Sequence, residues 1–155
     1  MVSMTDIIEE YIKNLMKENS SIQIQRNELA NMFNCAPSQI NYVLATRFTL
    51  DRGYCIESKK GGGGYIHIIK IQNNKQSYLE ELINEKIGNK ISYKRAKDII
   101  EGLEDMKIVS NKEKKFILSS LDERALCMET VEQREEIRAN IFKNIIEVLL
   151  RTNIN

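Results

Sequence analysis

The spacing of apolar residues predicts a helix at the start of the chain and a short strand after it. Between residues 7 and 16, apolar side chains recur every three or four positions, which is the repeat of one helix face. Ser3 and Asp6 form a capping-box-like pattern, so we expect the helix to begin there and to end near Glu18. In Ser21–Gln25 polar residues alternate with two isoleucines, as is typical of a strand with one buried face.

Two helices in quick succession are predicted next. The first covers residues 26–33, because Leu29, Ala30 and Phe33 fall on one side of a helix. The second opens at Pro37, a residue that suits the first helical position, and extends to about Arg47. Because only a few residues separate the two helices, this region is predicted to be a helix-turn-helix.

After residue 53 the pattern changes from helical spacing to alternation. Residues 54–58 and 65–71 are rich in side chains that favour strands, and a glycine-rich segment separates them. That segment consists of Lys59, Lys60, Gly61, Gly62, Gly63 and Gly64. The pattern predicts a hairpin with a long tip, and a hairpin that follows a helix-turn-helix is the arrangement of a winged helix domain.

The second half of the chain is predicted to be entirely helical. A polar linker at residues 72–76 precedes four stretches of helical spacing, the last of them over residues 132–151. We therefore expect an α+β fold, with a winged helix-turn-helix domain at residues 1–73 and an all-α four-helix bundle at residues 74–155. The last helix is more apolar than a small bundle can cover, so we expect it to pair two chains. The predicted dimer residues are Ile137, Ile141, Ile145 and Leu149.

Composition and charge restrict the class of protein. A chain of 155 residues with 42% hydrophobic residues can form one or two globular domains. The formal net charge is only +1, so any surface for a polyanion must be local. Residues 26–70 contain six basic and three acidic residues, a local charge of +3, and we expect basic residues such as Arg26, Arg47 and Arg52 to contact DNA phosphates. No segment resembles a signal peptide or a transmembrane helix, and we expect a cytoplasmic protein without membrane contact.

Candidate DNA-reading residues lie on the second helix of the helix-turn-helix and on the hairpin. Hydroxyl, amide and guanidinium groups can bond to base edges in the major groove. On the helix these candidates are Ser38, Gln39, Asn41, Tyr42, Thr46 and Arg47. At the hairpin, glycines allow close backbone approach and Lys59 and Lys60 bring positive charge to a minor groove, with Tyr65 and His67 beside them. Ordering this loop costs conformational entropy, so its DNA contact should weaken on heating.

No pattern of residues indicates an enzymatic or metal-binding function as clearly as the helix-turn-helix and hairpin indicate DNA binding. The only histidine, His67, falls in a predicted strand, and no serine or cysteine has a recognisable base nearby. In a phosphate-binding loop, the last glycine is followed by lysine, then by serine or threonine, and then by a helix, whereas here Tyr65 begins a strand. The cysteines at positions 35, 55 and 127 are widely spaced, and we expect them to pack as small hydrophobic residues. We predict a protein that is not an enzyme and has no metal or cofactor.

Two other binding functions remain open. One alternative is a protein-interaction module, because winged helix domains also dock proteins. In that case the helical half would be the main functional part of the chain. RNA recognition would require exposed aromatic side chains for base stacking, and Tyr54 and Tyr65 give it little support. The salt dependence of duplex binding separates the first case from DNA recognition, because a docking module should show no steep salt slope.

Several segments of this sequence resemble the CtsR family, the class three stress-gene repressors of Gram-positive bacteria. They are, in order, DIIEEYIKNLM, CAPSQINYVLATRFT, RGYCIESKKGGGGYI and HIIKI, and EEIRA in the last predicted helix also fits. The resemblance covers nearly the whole chain. It implies a homodimer that binds a repeated operator element upstream of Clp protease and chaperone genes and leaves it on heating.

The resemblance also implies regulatory partners and a temperature sensor. The family's partners are a protein arginine kinase with its zinc-binding activator and the Clp machinery that degrades the released repressor. Arg26, Arg47 and Arg52 stand where the family has arginines that this kinase modifies, and Gly61 to Gly64 correspond to the thermosensing wing. Where the family commonly has arginine at two wing positions, this chain has Lys60 and His67. Lysine keeps the positive charge but lacks the planar guanidinium that such a kinase modifies.

Overall fold

The computed structural model describes residues 1–58, 64–71, 74–127 and 130–152. Over these residues the chain forms seven α-helices and one three-stranded antiparallel sheet, so the predicted α+β class is confirmed. It divides into two compact units, Met1–Gln72 and Asn73–Asn155.

The N-terminal unit combines three helices with the sheet. Its elements are helix α1 (Met4–Leu15), strand β1 (Ser21–Gln25), helix α2 (Arg26–Met32), helix α3 (Pro37–Arg47), a single 3-10 turn (Leu50–Arg52), and strands β2 (Tyr54–Ser58) and β3 (Tyr65–Lys70). β3 lies in the centre of the sheet, antiparallel to both neighbours, and β1 and β2 are its edges. The register places Gln23 on one side of His67 and Glu57 on the other.

Helix α1 begins at the capping box that its sequence predicts. The Asp6 backbone amide donates to Ser3 Oγ at 3.2 Å, and the Ser3 amide donates to Asp6 Oδ2 at 3.1 Å. This backbone hydrogen bond from Ser3 is the main cause of a lowered pKa of the Asp6 carboxyl. The helix ends at Leu15, earlier than expected, with Met16 as its C-cap and Lys17 and Glu18 exposed beyond it.

One face of the sheet and one side of each helix form the core of the N-terminal unit. The buried residues are Ile8, Ile12, Met16, Ile24, Leu29, Ala30, Ile40, Val43, Leu44, Phe48, Tyr54, Ile66 and Ile68. Because neighbouring residues of a strand point to opposite faces, Gln23, Glu57 and His67 lie on the other face of the sheet.

The C-terminal unit consists of helices only in its described part. They are α4 (Lys75–Glu81), which continues into a π-helical turn (Leu82–Lys86), α5 (Tyr93–Asp105), α6 (Asn111–Leu121) and α7 (Val131–Thr152). Ser92 caps the start of α5, since the Arg95 amide donates to Ser92 Oγ at 3.1 Å. A reciprocal capping box between Ser110 and Glu113 opens α6. After the π-helical turn and Ile87 comes Gly88 at φ +68°, a left-handed conformation that commonly ends a helix.

Helix α7 turns one face towards the core of its unit and leaves another face accessible. Its core residues include Ala139, Phe142, Ile146 and Leu149. Leu149 was predicted in the dimer interface, yet it is only 9% exposed and packs in this core. Residues four apart are rotated by about 40° around a helix of 3.6 residues per turn. The series that begins at Ile137 and takes every fourth residue therefore reaches the core side of the helix at Leu149. Val148, 48% exposed, lies about 20° from Ile137 by the same geometry.

We call the accessible apolar face the α7 stripe. It consists of Ile137, Ile141, Ile145 and Val148. The three isoleucines are partly buried, with Ile141 and Ile145 packed against the edge of the core, and Val148 is exposed.

A buried arginine joins three segments of the C-terminal unit. Arg138 on α7 has no exposed surface. Its Nε donates to the Leu121 carbonyl at 2.8 Å, its Nη1 to the Ile91 carbonyl at 3.0 Å, and its Nη2 to Glu123 Oε1 at 2.9 Å. Helix α7 is thereby tied to the end of α6 and to the segment that precedes α5.

The cysteines follow the sequence expectation only in part. Cys35 and Cys55 are partly buried, and Cys35 packs against the core of the N-terminal unit. Cys127 is exposed, contrary to the expectation, because it lies beyond α6, where its Sγ donates to the Arg124 carbonyl. Among the described residues, no three His, Cys, Asp or Glu side chains are grouped so that they could hold a metal ion. In the same part of the chain, even the longest helix falls short of the apolar length that a bilayer crossing requires.

Candidate nucleic-acid interface

Helices α2 and α3 are joined by a tight turn that depends on Asn34. This residue adopts a left-handed conformation with φ 53°, which asparagine tolerates better than most side chains. The Cys35 amide then donates to the Ala30 carbonyl at 2.9 Å and closes the end of α2. The chain can therefore reverse within a few residues and start α3 at Pro37.

Helix α3 has one face in the core and one face in solvent. Ile40, Val43 and Leu44 are buried and hold the helix against the unit. Four residues are exposed on the other side, at the spacings i, i+3, i+4 and i+7 that define one helix face. We call them the α3 outer face: Ser38, Asn41, Tyr42 and Ala45.

Three of these four residues were predicted from the sequence, and Ala45 was not. Asn41 and Ser38 offer an amide and a hydroxyl, and the Tyr42 side chain is 56% exposed. Ala45 has no polar group, so a search for base-reading chemistry passes over it. Its angular position on the helix could have identified it, and its short side chain allows the helix backbone to approach a partner closely.

The other three predicted residues of α3 make contacts within the unit. Gln39 Nε2 donates to Thr5 Oγ1 on α1 at 3.2 Å. The Thr46 hydroxyl donates to the backbone carbonyl of Tyr42 at 2.7 Å. Arg47 points to α1, where it meets two carboxylates. That Arg47 reads a base stays a prediction from the sequence.

The contacts of Arg47 form a charged group of side chains between α1 and α3. Its Nη1 lies 2.6 Å from Glu9 Oε1 and 3.1 Å from Asp6 Oδ1. Lys13 Nζ lies 2.6 Å from the second oxygen of Glu9. Partial burial lowers the pKa of Arg47, but hydrogen bonds and the charges of Glu9 and Asp6 outweigh it, so the pKa is raised overall. Sequence reasoning missed Asp6 and Glu9 as partners, because they are 41 and 38 residues from Arg47.

The hairpin carries the second group of predicted residues. Lys59, Lys60, Gly61, Gly62 and Gly63 lie outside the described residues. Gly64 has φ +70°, a left-handed conformation that favours glycine. Tyr65 is 42% exposed, and His67 Nδ1 is 3.9 Å from Glu57 Oε2 across the β2–β3 ladder.

Two more arginines were predicted to meet phosphate. Arg26 is the first residue of α2, and Arg52 is the last residue of the 3-10 turn before β2. Both are partly buried.

Two family models match the chain in succession. The CtsR N-terminal HTH domain matches residues 3–72, and the CtsR C-terminal dimerization domain matches residues 74–147. The chain belongs to the CtsR family. The family resemblance of its sequence segments is thus confirmed.

Relatives of the CtsR family cover almost the full length of the chain. The transcriptional regulator CtsR of Geobacillus stearothermophilus is 43% identical over 151 residues, which cover 96% of this chain and 98% of the relative. The transcriptional regulator CtsR of Staphylococcus aureus (strain USA300) is 46% identical over 152 residues, with the same two shares. A crystal structure of CtsR in complex with a 26-base-pair DNA duplex matches with a TM-score of 0.80 and 41% identity, over 96% of this chain and 99% of that one.

The names of these CtsR relatives also bear on catalysis. They are transcriptional regulators, and the matched family domains are a helix-turn-helix and a dimerization domain. The prediction that the chain is not an enzyme is confirmed by this family membership.

Proposed function

We propose that this chain is a homodimeric repressor that binds double-stranded operator DNA with α3 in the major groove and the β2–β3 hairpin in the minor groove. The observation that carries the proposal is the α3 outer face, which is exposed and follows a tight helix-turn-helix connection. The DNA duplex in the related CtsR crystal structure supports it. Operator DNA lies in the bacterial cytoplasm, where we place the protein.

The side chains of the α3 outer face suit the reading of base edges. The amide of Asn41 can donate to and accept from adenine at once, and the hydroxyl of Ser38 can bond to a base or a phosphate. The Tyr42 ring offers apolar contact to a thymine methyl group, and Ala45 allows the close approach that such contacts require. Arg26 and Arg52 supply positive charge for phosphates, so binding should weaken as the salt concentration rises.

Replacing Asn41 with alanine should weaken binding to an operator duplex on the order of tenfold, because a bidentate base contact contributes about 1–3 kcal/mol of discrimination. Binding to unrelated duplex should change little. The operator is first obtained by selecting random duplexes on the wild-type chain, and affinities are then measured by fluorescence anisotropy at two salt concentrations. Asn89→Ala, in an exposed loop of the C-terminal unit, serves as the matched control. An affinity without salt dependence would favour the protein-docking function.

We further propose that the glycine-rich hairpin releases the operator on heating. A tip of four glycines loses much conformational entropy when it becomes ordered on DNA, and this cost increases with temperature. Gly63→Ala should raise the release temperature by a few degrees, because it limits the freedom of the unbound loop. Gly64→Ala should lower it, since φ +70° strains an alanine. The midpoint of operator release on heating measures both changes, and an unchanged midpoint in both variants argues against a sensor in the hairpin.

Membership in the CtsR family suggests the wider setting of this activity. We propose operators upstream of Clp protease and chaperone genes, and regulation by a protein arginine kinase, its activator and the Clp machinery. Arg26, Arg47 and Arg52 are the candidate targets of the kinase in the N-terminal unit. Mapping of phosphoarginine by mass spectrometry after incubation with such a kinase tests this assignment. The assignment is rejected if none of the three arginines is modified.

The C-terminal unit supplies the pairing of two chains in this proposal. The family's C-terminal domain is described as a dimerization domain, and it matches residues 74–147 here. The α7 stripe is an apolar surface that the core of the unit covers only in part. We therefore propose that the stripe lies in the dimer interface.

A further inference from the structure

We propose that Arg47 is a positioning residue, which fixes the orientation of α3 by bridging it to Asp6 and Glu9 of α1, and that it does not read a base. The proposal rests on the proposed function, in which α3 is the helix that reads DNA. It assigns a role to two acidic residues on α1 that have no place in base recognition.

Both carboxylates that receive Arg47 are fixed by contacts of their own. Asp6 accepts Arg47 with one oxygen, and its other oxygen accepts the Ser3 amide in the cap of α1. Glu9 accepts Arg47 with one oxygen, and its other oxygen accepts Lys13 one turn further along α1. The Glu9 side chain is only 14% exposed, so little solvent competes with its contacts, whereas the Asp6 side chain is 44% exposed. Arg47 therefore meets a preformed pair of acceptors.

A second polar contact ties the other end of α3 to α1. Gln39 Nε2 donates to Thr5 Oγ1 at 3.2 Å, and Thr5 is only 8% exposed. Gln39 and Arg47 are eight residues apart, a distance of about 12 Å along a helix. Two contacts so far apart restrain both the tilt of α3 and its rotation about its own axis.

Apolar packing alone would leave this orientation less well defined. Between the two polar contacts, Ile40, Val43 and Leu44 of α3 belong to the same core as Ile8 and Ile12 of α1. Apolar contact has no preferred direction, whereas hydrogen bonds to carboxylates have a narrow range of angle and distance. In the proposed complex Asn41 must reach a base edge at hydrogen-bond distance and Tyr42 must contact a thymine methyl group, so a small rotation of α3 would cost operator affinity.

Neutralising Glu9 distinguishes this role from a contact between Arg47 and DNA. If Arg47 bound a phosphate or a base, the carboxylates would compete with DNA for it, and Glu9→Gln would raise operator affinity. If Arg47 positions α3, Glu9→Gln loosens the helix and lowers operator affinity. The two roles therefore predict changes of opposite sign from a single isosteric substitution.

The experiment measures binding of the full-length chain to its selected operator and to an unrelated duplex at three salt concentrations. Glu9→Gln and Arg47→Gln should each lower operator affinity on the order of tenfold, with little change in binding to unrelated duplex. The double variant should lose no more than the single variants, since both remove the same contact. The slope of log affinity against log salt should stay that of the wild type.

Two further variants control for charge and folding. Glu10→Gln makes the same charge change as Glu9→Gln at the next, exposed position of α1, and its operator affinity should stay within about twofold of the wild type. Arg47→Lys keeps the charge but cannot keep the guanidinium geometry, so it should lose most of the affinity that Arg47→Gln loses. Circular dichroism at the assay temperature confirms that each variant is folded, and where Arg47→Gln unfolds, Glu9→Gln alone decides.

Several outcomes overturn the proposal. Higher operator affinity in Glu9→Gln would show that Arg47 contacts DNA. A slope of log affinity against log salt that is smaller by about one in Arg47→Gln, the loss of one phosphate contact, would show the same. Unchanged operator affinity in Glu9→Gln would show that the bridge does not position α3, while the proposed function stands. A wild-type chain that binds every duplex equally would overturn the proposed function together with this role.

Discussion

Replacing Val148 with aspartate is expected to convert the dimer to monomers and to weaken operator binding about a hundredfold. Val148 is 48% exposed and continues the α7 stripe. In an interface formed by this stripe, the new carboxylate would lose its water without gaining a partner, at a cost of several kcal/mol. Two linked DNA-binding units gain about 10²–10⁴ in affinity over one, and a monomer loses this gain. Light scattering after gel filtration and duplex titration measure the two effects.

Asn140→Asp is the matched control for this prediction. It introduces the same charge at an exposed position of α7 outside the stripe, so it should stay dimeric with unchanged operator affinity. Val148 is not among the buried residues of its own unit, and the variant should therefore remain folded. A Val148→Asp protein that is still a dimer at micromolar concentration would exclude the α7 stripe from the interface.

Replacing Arg138 with methionine should lower the free energy of unfolding of the C-terminal unit by about 3 kcal/mol. Methionine fills much of the space but donates no hydrogen bond, and the carbonyls of Leu121 and Ile91 then lose their donor. A buried acceptor without a partner costs about 1–3 kcal/mol. Urea denaturation followed by circular dichroism measures the change at one fixed protein concentration, because dimer formation makes the apparent stability depend on concentration.

Two variants test whether the guanidinium geometry is the cause. Arg124→Met removes an arginine whose side chain is 91% exposed, and it should change the free energy of unfolding by less than about 0.5 kcal/mol. Arg138→Lys keeps the charge but cannot reach three acceptors with a planar fork, so it should lose most of the stability that methionine loses. A methionine variant as stable as the wild type would mean that relaxation or water replaces these hydrogen bonds.

The local pattern of apolar and polar residues was sufficient to predict most of the fold and most of the α3 outer face. Strand β1 and helix α3 have the predicted bounds, because alternation in Ser21–Gln25 and proline at position 37 act over a few residues. The α3 outer face follows from the same repeat, since three of its four residues are polar or aromatic where the buried side is apolar. Such features depend on neighbours along the chain.

Contacts between distant segments could not be predicted in this way. Arg47 and Arg138 look like ordinary charged helix residues in the sequence, yet each binds groups 15 to 47 residues away. Whether a charged side chain meets solvent, DNA or a carboxylate depends on how the helices cross, and no periodicity records that. Leu149 was grouped with the other predicted dimer residues by a spacing of four, and residues at this spacing do not stay on one helix face over three turns.

The position of β1 at the edge of its sheet has a consequence for a chain that has left its operator. The five residues of β1 include no charge, no proline and no glycine. Natural edge strands commonly carry such residues, which discourage another chain from pairing with their free backbone groups. If heating releases the repressor as we propose, unbound chains would be open to pairing along β1, and such pairing would lead to aggregation.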